Sequence, residues 1–566
     1  MSKSEPLFQA ARLAPHLVIL LLAGPVLAGL AGTLLPAFSY LPVLGREQIS
    51  LEAFRAVLNE PNIGRSALLS LWTGIAATFV SVMLAGAIMA ATYGAAGWRR
   101  MVRFLSPILS VPHAAAAFGL MYLIMPSGFL SRMISPQLTG WLNPPDILFP
   151  NDPMGLALIA GLAAKEVPFL ILMLIAAAGQ VDAARAMQIT ATLGYGRIAG
   201  FVYTLWPQLY RQIRLAVFAV LAFSATVVDV ALILGPATPQ TLSVQLVQWM
   251  NDPDLSMRFT ASAGAVVQLA LVLALFLLWV GMEKIGGMIN RAMAASGQRF
   301  ARERVLVATF VLAGWMVTLA TLGGLALLAL WSVSGLWPYP GNWPDSFTAK
   351  AWMQAAQTAG GPLATTFGLG FVSALLATLL CVLCLISDYG GQIRRVLDAA
   401  LTLPLIVPQI AFLFGLQIFA IRAGLGYGFW TLVLIHLVFV LPYVFLSLTP
   451  AWRALDRRYG LVAQGLGKSR TQTLLKIEVP LLARPLLTAF ALGFAVSAGL
   501  YLPTLLIGAG RMATITTEAV ALAAGGSRRT IGAYAFLQAI VPFAGFLLAF
   551  ALPAWLFRNR AGMRAA

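Results

Sequence analysis

"SPILSVPHAAAAFGL", residues 106–120, and "LPLIVPQIAFLFGL", residues 403–416, are two versions of one segment, pairing Pro112 with Pro408 and Gly119 with Gly415 at a separation of 296. A second pair repeats farther along. "LGYGR" at 193–197 matches "LGKSR" at 466–470, and the same separation of 273 carries Pro207 onto Pro480, Arg211 onto Arg484 and Gly235 onto Gly508. A chain that repeats itself at fixed separations is built from two copies of one structural unit. The two separations differ by 296 minus 273, which assigns 23 extra residues to the first copy between the anchors. The Pro-rich stretch 126–153 accommodates them.

The repeated unit spans a membrane. Of 566 residues, 60% are apolar and 10% charged, with a mean hydropathy of +0.86, far from the balance of a water-soluble domain. Continuous apolar runs of about 20 residues, enough to cross a hydrocarbon core, lie near 14–36, 66–92, 104–125, 154–178, 213–235 and 259–282. Six more follow near 305–332, 363–387, 398–420, 428–449, 481–507 and 533–557. Lipid satisfies no backbone polar group, so continuous runs predict helices rather than the short alternating strands of a barrel. The fold class expected is all-α, with about 12 transmembrane helices in two parallel six-helix halves. The first half is residues 1–282, the linker 283–304, and the second half 305–566. The first run is too long for the apolar part of a signal peptide and is read as a helix.

The net charge of +18 would suggest nucleic acid in a soluble chain. Here its distribution decides the matter. With twelve spans and an inside N-terminus, most Lys and Arg fall on cytoplasmic segments while the acids divide almost evenly, the positive-inside pattern. The basicity reports orientation, with both termini cytoplasmic, and excludes a nucleic-acid partner. Cys381 and Cys384 form a C-x-x-C inside "LLCVLCLIS" with no His or Cys cluster nearby, so they read as small apolar packing residues and not as a metal or redox site.

Gly467-Lys468-Ser469 resembles the tail of a phosphate-binding loop, but the glycine such a loop needs five residues earlier is Val462, and the preceding element is a membrane span. The first copy carries Gly194-Tyr195-Gly196 instead, with no lysine. What both copies share is a short amphipathic stretch, then Leu193-Gly194 or Leu466-Gly467, an arginine three residues after the glycine (Arg197, Arg470), and a proline thirteen after it (Pro207, Pro480). The glycine suits a helix end in the left-handed region, and the proline suits the first turn of the next span.

At this spacing the chain resembles the permease subunits of binding-protein-dependent ABC importers, whose cytoplasmic signature runs E-A-A, three residues, Gly, nine residues, I-x-L-P. Gly467, nine residues and Ile477-Glu478-Val479-Pro480 fit closely; Gly194 and Pro207 keep the spacing, with Thr204 and Trp206 in the apolar slots. The fusion of two copies is similar to the single-chain permeases of iron(III)- and thiamine-type importers. The signature glutamate falls on Gln188 and Leu461, and of the alanine positions only Ala463 is kept. The resemblance implies that each segment is a coupling helix seated on a separate ABC ATPase, a homodimer that carries the ATP and Mg. It also implies a periplasmic or extracellular solute-binding protein on the opposite face. Arg185 and Arg197 in one copy, and Lys468 and Arg470 in the other, are candidates for polar contacts with the ATPase.

Charged groups at membrane depth mark pathways or buried partners. Lys165 and Glu166 sit mid-span in "GLAAKEVPF"; adjacent helical residues point about 100° apart, so each is expected to pair with another helix. Asp229 lies toward the end of the fifth run, and its counterpart Leu502 is apolar, which makes the halves chemically unequal. His113 and His436 complete the candidate pathway set, although a lone histidine in such a place is more often a packing residue. The sequence contains no carboxylate pair, triad or metal cluster that points to catalysis, so the chain is read as a bacterial inner-membrane transport permease and not as an enzyme. A small cation such as thiamine, iron(III) or a polyamine follows from the family resemblance, with Glu166 and Asp229 in support. The alternative is an ion-coupled secondary transporter of the major-facilitator type, which also has two parallel six-helix halves. It gives the duplicated Leu-Gly segment no role.

Overall fold

The structure, a computed structural model, describes residues 5–95, 98–300, 302–387, 390–456 and 458–556. Residues 1–4 and 557–566, on which the orientation of the termini partly rests, lie outside the described residues. Among the described residues, ten helices are long and apolar enough to cross a membrane, and two sharply bent pairs bring the number to 12. In the first half the spans are Pro6–Ala37, whose long part is helix Ala14–Ala37, Ile63–Thr92, His113–Ile134, made of helices His113–Ile124 and Phe129–Ile134, Leu156–Ala178, Arg197–Thr226 and Met257–Ala295. In the second they are Arg304–Val333, Gly360–Ile386, the bent pair Gly391–Ile406 and Gln409–Arg422, Phe429–Ala454, the bent pair Arg470–Leu481 and Ala483–Gly499, and Arg528–Leu556. Hydroxyls inside these helices return to the carbonyl one turn back, as Thr78 does to Gly74 (2.8 Å) and Thr318 to Gly314 (2.7 Å), so they need no solvent.

Each half breaks its helices at matching positions. Val111 and Val407 are extended (ψ 126° and 124°) because the proline that follows disfavours a helical residue before it and offers no N–H. The chain turns through 102° at the second of these breaks. The fifth and eleventh runs, expected to continue to residues 235 and 507, instead stop at Thr226 and Gly499; short helices Asp229–Leu234 and Leu502–Gly508 follow.

The other ends of those two helices also differ from expectation. They begin at Arg197 and Arg470, well before the prolines expected to open them. A π-widened turn, Phe201–Leu205 or Leu474–Glu478, comes immediately before Trp206-Pro207 and Val479-Pro480. A proline ring clashes with the carbonyl four residues back, and a widened turn relieves that clash; the first-half helix then runs on to Thr226, whereas the second-half one bends by 75° just after Leu481. The linker is not an open loop either. The sixth helix has 39 residues and runs on to Ala295, about 58 Å at 1.5 Å per residue, well beyond a hydrocarbon core of about 30 Å.

The first helix of each half packs on the other half. Ala14–Ala37 lies along Gln409–Arg422, and Arg304–Val333 lies along His113–Ile124. Both crossings are made by glycines with no room for a side chain. A Cβ on Gly415 would come 2.0 Å from the Gly29 carbonyl oxygen, and one on Gly119 would come 2.8 Å from the Gly324 carbonyl carbon. In lipid there is no solvent to drive helices together, so such close backbone contact supplies much of the attraction. The repeated Gly119 and Gly415 are thus the two crossing points. On the face opposite the Leu-Gly segments, Arg132 is buried and donates to the carbonyls of Ser127 (3.0 Å), Pro338 (2.9 Å) and Gly341 (2.9 Å), which ties a first-half loop to a second-half loop.

Candidate coupling and pathway sites

The two Leu-Gly segments fold alike. Helix Ala183–Thr192 in one half and helix Arg458–Gly465 in the other each end in a left-handed glycine, Gly194 (φ 79°) and Gly467 (φ 82°). An αL residue at this point reverses the chain and satisfies the last carbonyls of the short helix, a conformation that only glycine adopts without strain. Aspartates start the helices: Asp182 accepts from the Arg185 amide (3.3 Å) and Asp456 from the Arg458 amide (2.9 Å).

Each short helix has an inner and an outer face. Thr190 and its counterpart Ala463 are buried, so the one alanine retained from the signature is a packing residue against the chain behind it. The outer faces carry Gln188 and Leu461 and, beyond them, matched apolar pairs one turn apart: Ile189 with Leu193, and Val462 with Leu466. All four are large apolar side chains left in the open, with Leu193 54% and Leu466 78% exposed. Ile189 and Val462 had not been singled out from the sequence, although the 273 separation aligns them. Their signal was exposure, which a single sequence does not display.

The basic residues are placed unequally. Arg185 and Lys468 are exposed on the tip. Arg197 is turned inward: its Nε donates to the Ala90 carbonyl (3.0 Å) and its Nη2 to the Tyr93 carbonyl, at the C-terminal end of helix Ile63–Thr92. A cation there meets the carbonyls and the negative end of the helix dipole. Arg470 lies over the ring of Phe8, 4.1 Å from its centroid. Pro207 and Pro480 stand behind the widened turns, away from the tip.

The intramembrane polar residues of the first half converge on the proline break. Lys165 Nζ donates to the Ile108 (2.6 Å) and Leu109 (3.0 Å) carbonyls. Pro112, lacking an N–H, cannot supply the i+4 donor of the Ile108 carbonyl, which accepts from the Val111 amide (3.2 Å) as well as from Lys165. Glu166, one residue on, faces His113 instead, with 3.1 Å between Oε1 and Nε2. His113 keeps 34% of its side chain open and packs against Phe223, with centroids 4.6 Å apart and the ring planes tilted by 48°. Asp229, buried at the start of its short helix, lies within electrostatic reach of His113 and of Tyr501. Tyr501 sits in the matching break of the other half, so the two breaks face each other where the halves meet. His436 is different: its Nδ1 contacts Ser497 Oγ (2.6 Å) and its Nε2 contacts Thr504 Oγ1 (3.1 Å), with no exposed surface. Both ring nitrogens have partners, and the ring joins the tenth helix to the second-half break. The repeat separation places Val438, Phe439 and Leu502 opposite Lys165, Glu166 and Asp229, so the polar set belongs to one half alone. Among the described residues no group of His, Cys, Asp and Glu could hold a metal ion.

Comparison with known proteins matches residues 385–561 to the family described as "Binding-protein-dependent transport system inner membrane component". The Escherichia coli K12 protein named "Inner membrane ABC transporter permease protein YnjC" is 30% identical over 517 residues, covering 91% of this chain and 93% of that protein. "Spermidine/putrescine transport system permease protein PotC" of Haemophilus influenzae is 30% identical over 131 residues, 23% of this chain and 51% of that protein. Its E. coli K12 namesake is 28% identical over 127 residues, 22% of this chain and 48% of that protein.

Proposed function

The chain belongs to the inner-membrane permeases of binding-protein-dependent ABC transport systems, a family of transport proteins and not of enzymes; from that premise we propose that it is a fused, two-copy permease that couples ATP hydrolysis on a separate ATPase to import of a small cation. One observation carries the coupling part. The structure has two matched tips on one face, each a short helix ending in an αL glycine and presenting an exposed apolar pair at i, i+4. Exposed pairs of this kind on otherwise polar loops mark protein contact sites, and two equal tips fit a partner with two equal grooves, an ATPase homodimer. That face is then cytoplasmic, as are both termini. The opposite face, stapled by Arg132, receives the solute-binding protein.

ATP-driven closure of the ATPase pair would draw the tips together and tip the halves about their glycine crossings. Hydrolysis would let them return. This is a two-state assembly biased by nucleotide, with the energy entering through the tips. In the pathway, Asp229 and the Glu166–His113 pair offer negative charge from the first half, while the second half offers Phe439, Leu502 and the Tyr501 hydroxyl. A site of two carboxylates in low dielectric favours a cation over a neutral or anionic solute. Likeness to spermidine/putrescine permeases over about a quarter of the chain supports polyamines among those candidates. Lys165 stays on the broken helix and keeps the Pro112 bend solvated by protein.

The test is co-purification with an ATPase followed by deletion of residues 183–196 and 456–469. Loss of ATPase binding supports the reading. ATPase activity and binding indifferent to both deletions would sink it.

A further inference from the structure

Two glutamates that the transport reading does not use occupy equivalent places in the two halves. Helices Arg197–Thr226 and Arg470–Leu481 start directly behind the Leu-Gly tips, and the first N–H groups of any helix lack partners within it. In the first half, Glu303 takes two of them, accepting from the amides of Ile198 (2.8 Å) and Ala199 (3.0 Å). In the second half, Glu5 accepts from the amides of Arg470 (3.0 Å) and Thr471 (2.8 Å) and from the Thr471 hydroxyl. A carboxylate on paired helix-start amides makes charge-assisted bonds in the favourable sense of the dipole. The Thr471 hydroxyl first, and then its amide, hold the Glu5 carboxyl below its ordinary pKa, so it is ionised at neutral pH.

The small differences between the halves are accounted for. The first-half cap sits one residue farther along, and Gly196 lets it in: a Cβ there would come 2.3 Å from the Phe300 carbonyl oxygen and 2.4 Å from the Glu303 carboxyl carbon. The second half has Ser469 at that position, whose hydroxyl takes the Gln472 amide (3.2 Å) that Glu303's register covers in the first half. Both halves therefore satisfy the same donors with different parts.

Neither glutamate belongs to the half it caps. Glu303 immediately precedes helix Arg304–Val333, and Glu5 precedes helix Pro6–Ala11, which leads into Ala14–Ala37. These are the two first helices that cross to the opposite half at the glycine contacts. The two glutamates are 303 minus 5, or 298, residues apart, close to the 296 of the proline repeat.

We propose that Glu5 and Glu303 are positioning residues of energy coupling: each fastens one coupling tip to the first helix of the opposite half, so that displacement of either tip moves both halves together. This rests on the importer reading above. A rigid cap makes the base of the tip and the swapped helix one mechanical piece. Without it, a tip could follow the ATPase while the crossing helix stayed behind.

The experiment uses the full chain with the ATPase that co-purifies with it, in lipid nanodiscs, as Glu5→Gln, Glu303→Gln and the double variant. Glutamine keeps the size and one acceptor, and Glu303→Asp serves as the charge-retaining control. Hydrogen exchange is followed in peptides covering 197–205 and 470–478. Spin labels on Leu58→Cys and Met353→Cys, exposed residues on the opposite face that lie outside the Arg132 staple, one on a helix packed against Met257–Ala295 and one on a helix packed against Arg528–Leu556, report the distance change on adding ATP and vanadate. The expected result is about tenfold faster exchange at the peptide whose cap is lost, ATPase affinity within twofold of wild type, and a nucleotide-driven distance change that shrinks in the single variants and vanishes in the double. Glu303→Asp restores most of it. Unchanged exchange overturns the clamp, and so does faster exchange with an undiminished distance change, which would leave the caps a purely structural role. Failure of any ATPase to bind the wild-type chain refutes the importer reading and this proposal with it, and is told apart from failure of the clamp alone because it appears before any substitution.

Discussion

Truncating the apolar tips, Leu193→Ala and Leu466→Ala, weakens ATPase binding by amounts set by how much of each side chain the free permease leaves open. Leucine to alanine removes about three methylene equivalents, worth about 0.8 kcal/mol each on full burial. Leu466 is 78% and Leu193 54% exposed. Scaling by the surface still available for burial gives about 2 kcal/mol for Leu466 and about 1.3 kcal/mol for Leu193. At 1.4 kcal/mol per tenfold, these become about 25-fold and about tenfold in Kd. The tips belong to separate halves and share no contact, so the double variant loses the sum, over about a hundredfold. Titration of nanodisc-embedded permease with the ATPase reads the affinity, and a thermal melt of the permease alone is the control. The melt should shift little, since substitution of an exposed side chain alters stability by about 0.5 kcal/mol or less. An affinity within twofold of wild type in the double variant would refute docking through these pairs, and a large fall in melting temperature would show that the tips are structural.

Three further outcomes follow from the same geometry. Gly415→Ala forces the backbone of Ala14–Ala37 away, because its Cβ would lie 2.0 Å from the Gly29 carbonyl oxygen, and costs about 2 kcal/mol or more; Gly323→Ala, with nothing within 4 Å, leaves the unfolding midpoint unchanged or raises it. Arg132→Met strands three carbonyls that it reaches within 3.0 Å, costs about 3 kcal/mol and lowers the melting temperature, whereas Lys284→Met at an exposed site does not. Asp229→Asn removes a buried charge from the interface of the halves and raises the KM for uptake of spermidine, used as the probe cation, about 30-fold, about 2 kcal/mol, with ATPase affinity unchanged.

The helical class and the two matched Leu-Gly turns were legible because they rest on signals one sequence displays: apolar length, internal repetition and the glycine spacing. Pro112 and Pro408 served as anchors of the repeat, but the apolar runs around them read as unbroken spans and hid the bends, since hydropathy does not register direction. The break before Asp229 was invisible for a related reason. Val227 and Val228 are as apolar as the helix they end, and only the matching interruption at Leu500-Tyr501 shows it to be built in. The inward turn of Arg197 could not be read, because an arginine on a basic face and one on a helix end have the same sequence context. Glu5 and Glu303 lay outside both matched stretches, and each caps a segment remote in the chain, 465 residues along it in the case of Glu5. No local pattern records that.

The most direct test of the account is disulfide cross-linking from Leu193→Cys and Leu466→Cys to cysteines placed along the surface of the co-purifying ATPase, with the permease in native membranes. Cys381 and Cys384 are fully buried and serve as a silent background. The account predicts that both tips cross-link, each to a different copy of the ATPase and at equivalent positions on it, and that cross-linking abolishes ATP-driven transport. Cross-links from one tip only, from neither, or with transport intact would contradict it.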